Sequence, residues 1–182
     1  RGELDLTLHK EFITNEKTDH RLVRGNMIGS DGFKKENGEY VRIKNFLHKK
    51  SDDFKTKDYG KIRIIGQQIS NVDSKKRLNF ILSNENDIMG NSCNYISILD
   101  NSIDINDLLH TLNSYLMNWR FSVTSSNNHV NNYELDELPL IDKIPPASEL
   151  IKLEKNEREK LICKCFGLND QEAEFIMEYH KN

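Results

Sequence analysis

LLHTLNSYLMNWRFSVTSSNNHVNNYELDELPL, residues 108–140, joins an apolar helical pattern, a tract of amides and hydroxyls, and a stop at Leu138-Pro139-Leu140. Leu108, Leu109, Leu112, Tyr115, Leu116 and Trp119 recur at helical spacing, which predicts one core helix. Asp104 or Asn106 can cap its start. Leu112, Leu116 and Trp119 are expected to pack it into a sheet. Residues 122–132 have no periodicity and are dense in Ser, Asn and His. A rigid element feeding a polar loop is how a scaffold aims adaptable side chains at a ligand.

Upstream of this stretch the chain reads as strands and turns. Glu3-Leu4-Asp5-Leu6-Thr7-Leu8 alternates with period two. Residues 30–39 hold Asp-Gly and Asn-Gly pairs, which signal hairpins, and Tyr40-Val41-Arg42-Ile43 follows as a strand. Residues 49–57 are charged, lack periodicity and read as a loop. Three further strands are expected at residues 61–66, 78–82 and 95–99, with a turn over 89–94. Downstream, Pro139, Pro145 and Pro146 close the compact part. Residues 148–180 read as two short helices, one capped by Ser148 and one opened by an Asn169–Glu172 capping box. Strands, one core helix, irregular chain and then helices predict an α+β fold. It would be a mixed β-sheet domain with one core helix over residues 1–147, and a short helical C-terminal appendage over 148–182.

The 182 residues suffice for one domain with its own core. No apolar run reaches membrane-spanning length and no signal peptide is read. The chain begins at Arg1 rather than Met, so a piece of a longer protein is expected. Cys93, Cys163 and Cys165 make neither a disulfide framework nor a zinc site, and read as small apolar residues. Net charge is −3, unevenly spread. Residues 1–80 carry 18 Lys and Arg against 12 Asp and Glu; residues 81–182 carry 8 against 17. An anionic partner is therefore expected at the basic front.

Nucleotide-binding glycine motifs and a nucleophile elbow are absent, and the six His residues lack metal-ligand spacing. Asp53-Phe54-Lys55, with Asp31 upstream, fits a magnesium-nuclease triplet, but such triplets arise by chance in a charged run. Recognition chemistry has more to work with. Arg, Asn and Gln read base edges through paired hydrogen bonds, and Lys, Ser and Thr hold phosphates. Gln67-Gln68-Ile69-Ser70-Asn71, followed by Lys75-Lys76-Arg77, mixes these types after a strand. Ser125-Ser126-Asn127-Asn128-His129, with Asn131, does so after the core helix.

Taken in order, these residues resemble a family. Arg24-Gly25-Asn26-Met27-Ile28 comes first, then Ile64-Ile65-Gly66-Gln67-Gln68-Ile69-Ser70, then Gly90-Asn91-Ser92. Leu112-Asn113-Ser114-Tyr115-Leu116 and Leu138-Pro139-Leu140 complete the series. The series resembles the TaqI-like C-terminal specificity domain, the target-recognition part of adenine-specific DNA methyltransferases and of fused type II restriction–modification enzymes. The tail from Cys165 to Glu174 resembles a closing motif of such chains. Specificity subunits of type I restriction systems share the plan and are the alternative, as is a protein-interaction module that docks a partner subunit through its tail.

The resemblance implies double-stranded DNA as partner, and a bacterial, cytoplasmic setting with no membrane. It also implies an upstream methyltransferase domain in the same chain that binds S-adenosylmethionine and grips a flipped adenine. The Asn-Pro-Pro-aromatic motif of that domain is missing here, since the only Pro-Pro lies in Ile144-Pro145-Pro146-Ala147. This piece is therefore expected to hold no cofactor, no metal and no catalytic residue. Arg24, Lys44, Arg63, Lys75, Lys76 and Arg77 are assigned to a basic surface. Asn26, Gln67, Gln68, Ser70, Asn71, Ser125, Ser126, Asn127, Asn128, His129 and Asn131 are assigned to DNA contact.

Overall fold

The computed structural model describes residues 1–181 and divides into two compact units. The first comprises Arg1–Ile69 and Asn79–Asp100. The second comprises Ser70–Leu78 with the chain from Asn101 onward. Small sheets and two short helices occupy the first and further helices the second, so the class is α+β, as expected.

In the first unit, β1 (Ile13–Thr14) pairs antiparallel with β3 (Tyr40–Val41). β2 (Leu22–Val23) pairs in parallel with β6 (Ile88–Met89). A three-stranded antiparallel sheet has the order β5 (Phe80–Leu82), β4 (Ile64–Gln67), β7 (Cys93–Ile96). Successive residues of a strand face opposite ways, and β2 uses this to serve two cores. Leu22 and Ile88 join Leu4, Phe12, Val41, Phe46 and Phe54. Val23 and Met89 join Ile28, Ile65, Ile81 and Cys93. Gly66 lets the sheet close, because a Cβ there would lie 2.8 Å from the Phe80 ring.

Three expectations change here. The alternation at residues 3–8 gives a single bridge, Leu4 to Gly90, because Asp5 Oδ1 accepts from the N–H groups of Thr7 and Leu8 and turns the chain. Residues 49–57 are not a loop. α1 (Ile43–His48) is followed by α2 (Asp52–Lys57), capped by Ser51 Oγ accepting from Phe54 N at 3.2 Å. Acids in its first turn and lysines in its last suit the helix dipole, and Phe54 alone is its buried anchor. The third strand begins at Cys93, which shortens the expected turn to residues 90–92.

In the second unit the expected single helix is two. α3 (Ile105–Leu112) starts at Asp104, whose carboxylate accepts from Asn106 N and Asp107 N. α4 (Tyr115–Thr124) restarts at Ser114, whose hydroxyl accepts from Met117 N. A serine hydroxyl that serves the backbone ahead of it favours a new cap over helix continuation. α5 (Asn132–Asp136), α6 (Ala147–Leu150), α7 (Lys155–Cys165) and α8 (Asp170–Tyr179) follow, the last with the expected Asn169–Glu172 capping box.

Leu116 lies with Leu150, Ile162, Cys163, Ala173 and Ile176 in one core, and Trp119 packs against it. α4 therefore buries these residues against the C-terminal helices rather than a sheet. The division expected at residue 147 falls inside this unit, because Leu116 before it and Ile176 after it share the same apolar cluster. Among the described residues no helix is long and apolar enough to cross a membrane.

Candidate nucleic-acid interface

Of the two polar stretches singled out in the sequence, Gln67, Gln68 and Ile69 fall in the first unit, while residues 70–78 and 125–128 lie side by side in the second. Ser70 N donates to Asn128 O at 2.9 Å, and Val72 N donates to Asn128 Oδ1 at 2.8 Å. Arg77 staples the two together. Its Nη1 donates to Ser125 O at 2.8 Å and its Nη2 to Asn127 O, while its guanidinium sits 4.7 Å from the Phe121 ring centroid. Leu78 is fixed below, where Asn118 Oδ1 accepts from Leu78 N at 2.8 Å and Asn118 Nδ2 donates to Leu78 O at 3.2 Å. A buried amide on α4 thus pairs with the chain as a strand would.

The loop shapes use the amide oxygens and not the amide nitrogens. Asn71 Oδ1 accepts from Asp73 N at 3.0 Å and Asn127 Oδ1 from His129 N at 2.7 Å. Asn128 Oδ1 serves Val72, as above. All three residues are exposed, and the bonds that shape the loops leave their Nδ2 groups unused. The surface therefore presents hydrogen-bond donors beside the exposed Lys75, the half-buried Lys76, Ser126 and His129. The last turn of α8 supports it. Lys75 Nζ lies 4.3 Å over the Tyr179 ring, His180 stacks on Tyr115 at 4.3 Å, and His180 Nε2 bonds Tyr115 O at 2.9 Å. Glu159 on α7 accepts from Tyr115 N at 2.7 Å, and burial pushes its carboxyl above the usual range. Burial lowers the His180 ring, which the neighbouring Lys155 and Lys75 reinforce against the carbonyls it meets.

Several assignments require correction. Arg63 is fully buried in the first unit, where its Nη2 donates to Glu3 Oε1 at 3.1 Å and Asp87 O at 2.8 Å, with Tyr95 beneath the guanidinium. Arg77 is also buried, and acts on the loops from within. Ser70 and Ser125 are buried, and the Ser70 hydroxyl receives Arg77 Nε at 3.4 Å. Asn131 stands at the N-cap position of α5, where Glu134 Oε2 accepts from both its N–H and its Nδ2 at 2.9 Å. Arg24 is neutralised by a two-point pair with Glu39 at 2.6 and 2.8 Å.

In the first unit a separate cleft of about 370 Å³ gathers Arg24, Gly25, Asn26, Gln67, Ile69 and Ser92. Gln67 Nε2 donates to Ile28 O at 3.0 Å, Gln68 N to Ser92 O at 3.0 Å, and Ser92 Oγ receives Gly25 N at 3.0 Å. A Cβ on Gly25 would collide with the Ser92 carbonyl oxygen. Asn26 is exposed at this cleft, and Lys44 is exposed on α1. Asn118, Tyr179 and His180 were missed by sequence reading. An amide inside the apolar run of α4 was the available signal for the first.

The nuclease triplet does not converge. Asp53 pairs with Lys57 at 2.7 Å and Lys55 with Asp52 at 3.1 Å on the surface of α2, while Asp31 holds the Ser30 hydroxyl. Burial pushes the Cys93 and Cys163 thiols up to about 12 and about 11, which keeps them protonated. Among the described residues no cluster of His, Cys, Asp or Glu could hold a metal ion.

The family model of the TaqI-like C-terminal specificity domain matches residues 20–140, a span that ends at Leu140 of the Leu-Pro-Leu stop. No curated protein matches the chain.

Proposed function

Because this chain belongs to the family of TaqI-like C-terminal specificity domains, which serve target recognition in restriction–modification enzymes, we propose that it reads a specific sequence in duplex DNA. The exposed amide donors of Asn71, Asn127 and Asn128 carry this reading. Phosphate oxygens, purine N7, guanine O6 and thymine O4 are all acceptors, so exposed amide donors beside Lys75 and Lys76 are chemically matched to DNA. Arg77 adds its charge from below. The Asn26–Gln67 cleft of the first unit is a second place for contact.

On this reading the chain is the non-catalytic, DNA-holding part of a cytoplasmic adenine-specific methyltransferase, with or without an attached nuclease. S-adenosylmethionine and the adenine-gripping motif belong to a preceding domain of the same polypeptide. Its absence from Ile144-Pro145-Pro146-Ala147 supports that division.

The test is titration of labelled duplex with the full-length enzyme at increasing salt. Affinity should fall linearly on a log–log plot, with a slope that reports the number of phosphates neutralised. Reversing Lys75 and Lys76 to Glu should weaken binding about uniformly across sequences. Unchanged affinity in that variant at low salt contradicts the assignment.

A further inference from the structure

The groove between α4 and α8 is left unused by DNA recognition. Leu116, Trp119, Leu168 and Ile176 line it, Phe175 forms its lip, and its volume is about 470 Å³. Phe175 is 60% exposed, with Trp119 meeting it edge-on at 6.4 Å. The exposed face of α8 carries Asp170, Glu172, Glu174 and Glu178 and no Lys or Arg. Among the described residues only Glu174 has a cationic partner there, Lys160 at 3.2 Å, and exposed pairs of this kind are weak.

An aromatic lip on an apolar trough beside carboxylates has a defined complement. We propose that this groove docks a basic amphipathic helix of a partner protein. Apolar residues one turn apart would enter the trough, and Lys or Arg on the flanks would face Glu172 and Glu178. Charge disfavours the other occupants. DNA phosphates would meet carboxylates. A second copy in a two-fold interface would bring the same acidic face against itself.

Trp119 is the only tryptophan and lies in the groove, so its emission reports occupancy directly. This chain would be titrated with a helical peptide bearing Leu at every third or fourth position and Lys on the flanks. A saturable blue shift is expected, weakening with salt. Phe175→Ser, at an exposed position, should lower affinity by about tenfold or more, as a central aromatic anchor does. Glu178→Lys should lower it and reduce its salt dependence. Four results would overturn the proposal: no saturable shift, equal binding of an acid-flanked peptide with the same Leu pattern, unchanged binding in Phe175→Ser, or a shift driven by chain concentration alone. A saturable shift produced by duplex DNA instead of the peptide would also overturn it, and would assign the groove to nucleic acid. None of these outcomes bears on the amide surface, whose test uses different residues.

Discussion

Two buried arginines divide the labour of the molecule. Arg63, in the first unit, meets a carboxylate, a carbonyl and an aromatic face, while its Nε and Nη1 have no partner among the described residues. Arg77, in the second, meets carbonyl oxygens, a hydroxyl and a ring, and pairs with no carboxylate among the described residues. The first holds Glu3 and Asp87 to the sheet and its charge is cancelled locally. The second holds two loops by their backbones, so their side chains stay outside and its positive charge stays beneath them. A guanidinium tied to a carboxylate builds a core; one tied to carbonyls builds a platform.

That contrast can be broken by mutation. Arg63→Ala should cost most, about 3–5 kcal/mol, because it strands the buried Glu3 carboxylate; urea denaturation measures it. A loss below about 1 kcal/mol would mean that Glu3 is not held in this way. Arg77→Ala should cost less stability, about 1.5–3 kcal/mol for hydrogen bonds from a charged donor. It should also weaken DNA binding, whereas Arg63 variants refolded at low denaturant should bind as before. Equal effects of both variants on binding would erase the distinction.

Two buried acids, Glu3 and Glu159, divide in the same way. Glu159 accepts from a main-chain N–H, whereas Glu3 accepts from both a main-chain N–H and a guanidinium. Its folded pKa is raised, so its contribution is complete below the unfolded value near 4.5 and is lost as pH rises through the folded value. His110 and His180, lowered by burial, act oppositely and lose stability as pH falls below 6.5. The wild-type profile minus that of Glu159→Gln should therefore decline with rising pH above 4.5; a flat difference contradicts the assignment. Smallest of all, Lys75→Gln should reduce the salt slope of duplex binding by about one phosphate's worth without altering sequence preference.

Much of the fold was legible because its signals are local. Asp104 and Asn169 announce caps from adjacent residues alone. The strands at Ile64, Phe80 and Tyr95 follow from short apolar runs between turns. Burial of an arginine is not local. Arg63 depends on Glu3, 60 residues away, and Arg77 on carbonyls about 50 residues away, so both looked like surface charge. The restart at Ser114 was hidden because serine fits either a helix or a cap. α2 was hidden because Phe54 is its only anchor. The pairing of the two polar loops could not be read from either one; the amide of Asn118, placed among apolar neighbours on α4, makes part of that join.

The oxygens of the exposed Asn71, Asn127 and Asn128 shape the loops, and this leaves their Nδ2 groups to meet DNA. Asn→Asp at the three positions keeps the loop-shaping oxygen acceptors, and it replaces each donor with a second acceptor oxygen that carries negative charge. Duplex affinity of the full-length enzyme carrying the triple substitution, measured at low salt beside an unfolding curve, is the most direct measurement. An affinity loss of about tenfold or more, with an unchanged unfolding midpoint, is expected. Wild-type affinity in a stably folded triple variant would contradict the amide surface as the DNA-reading face.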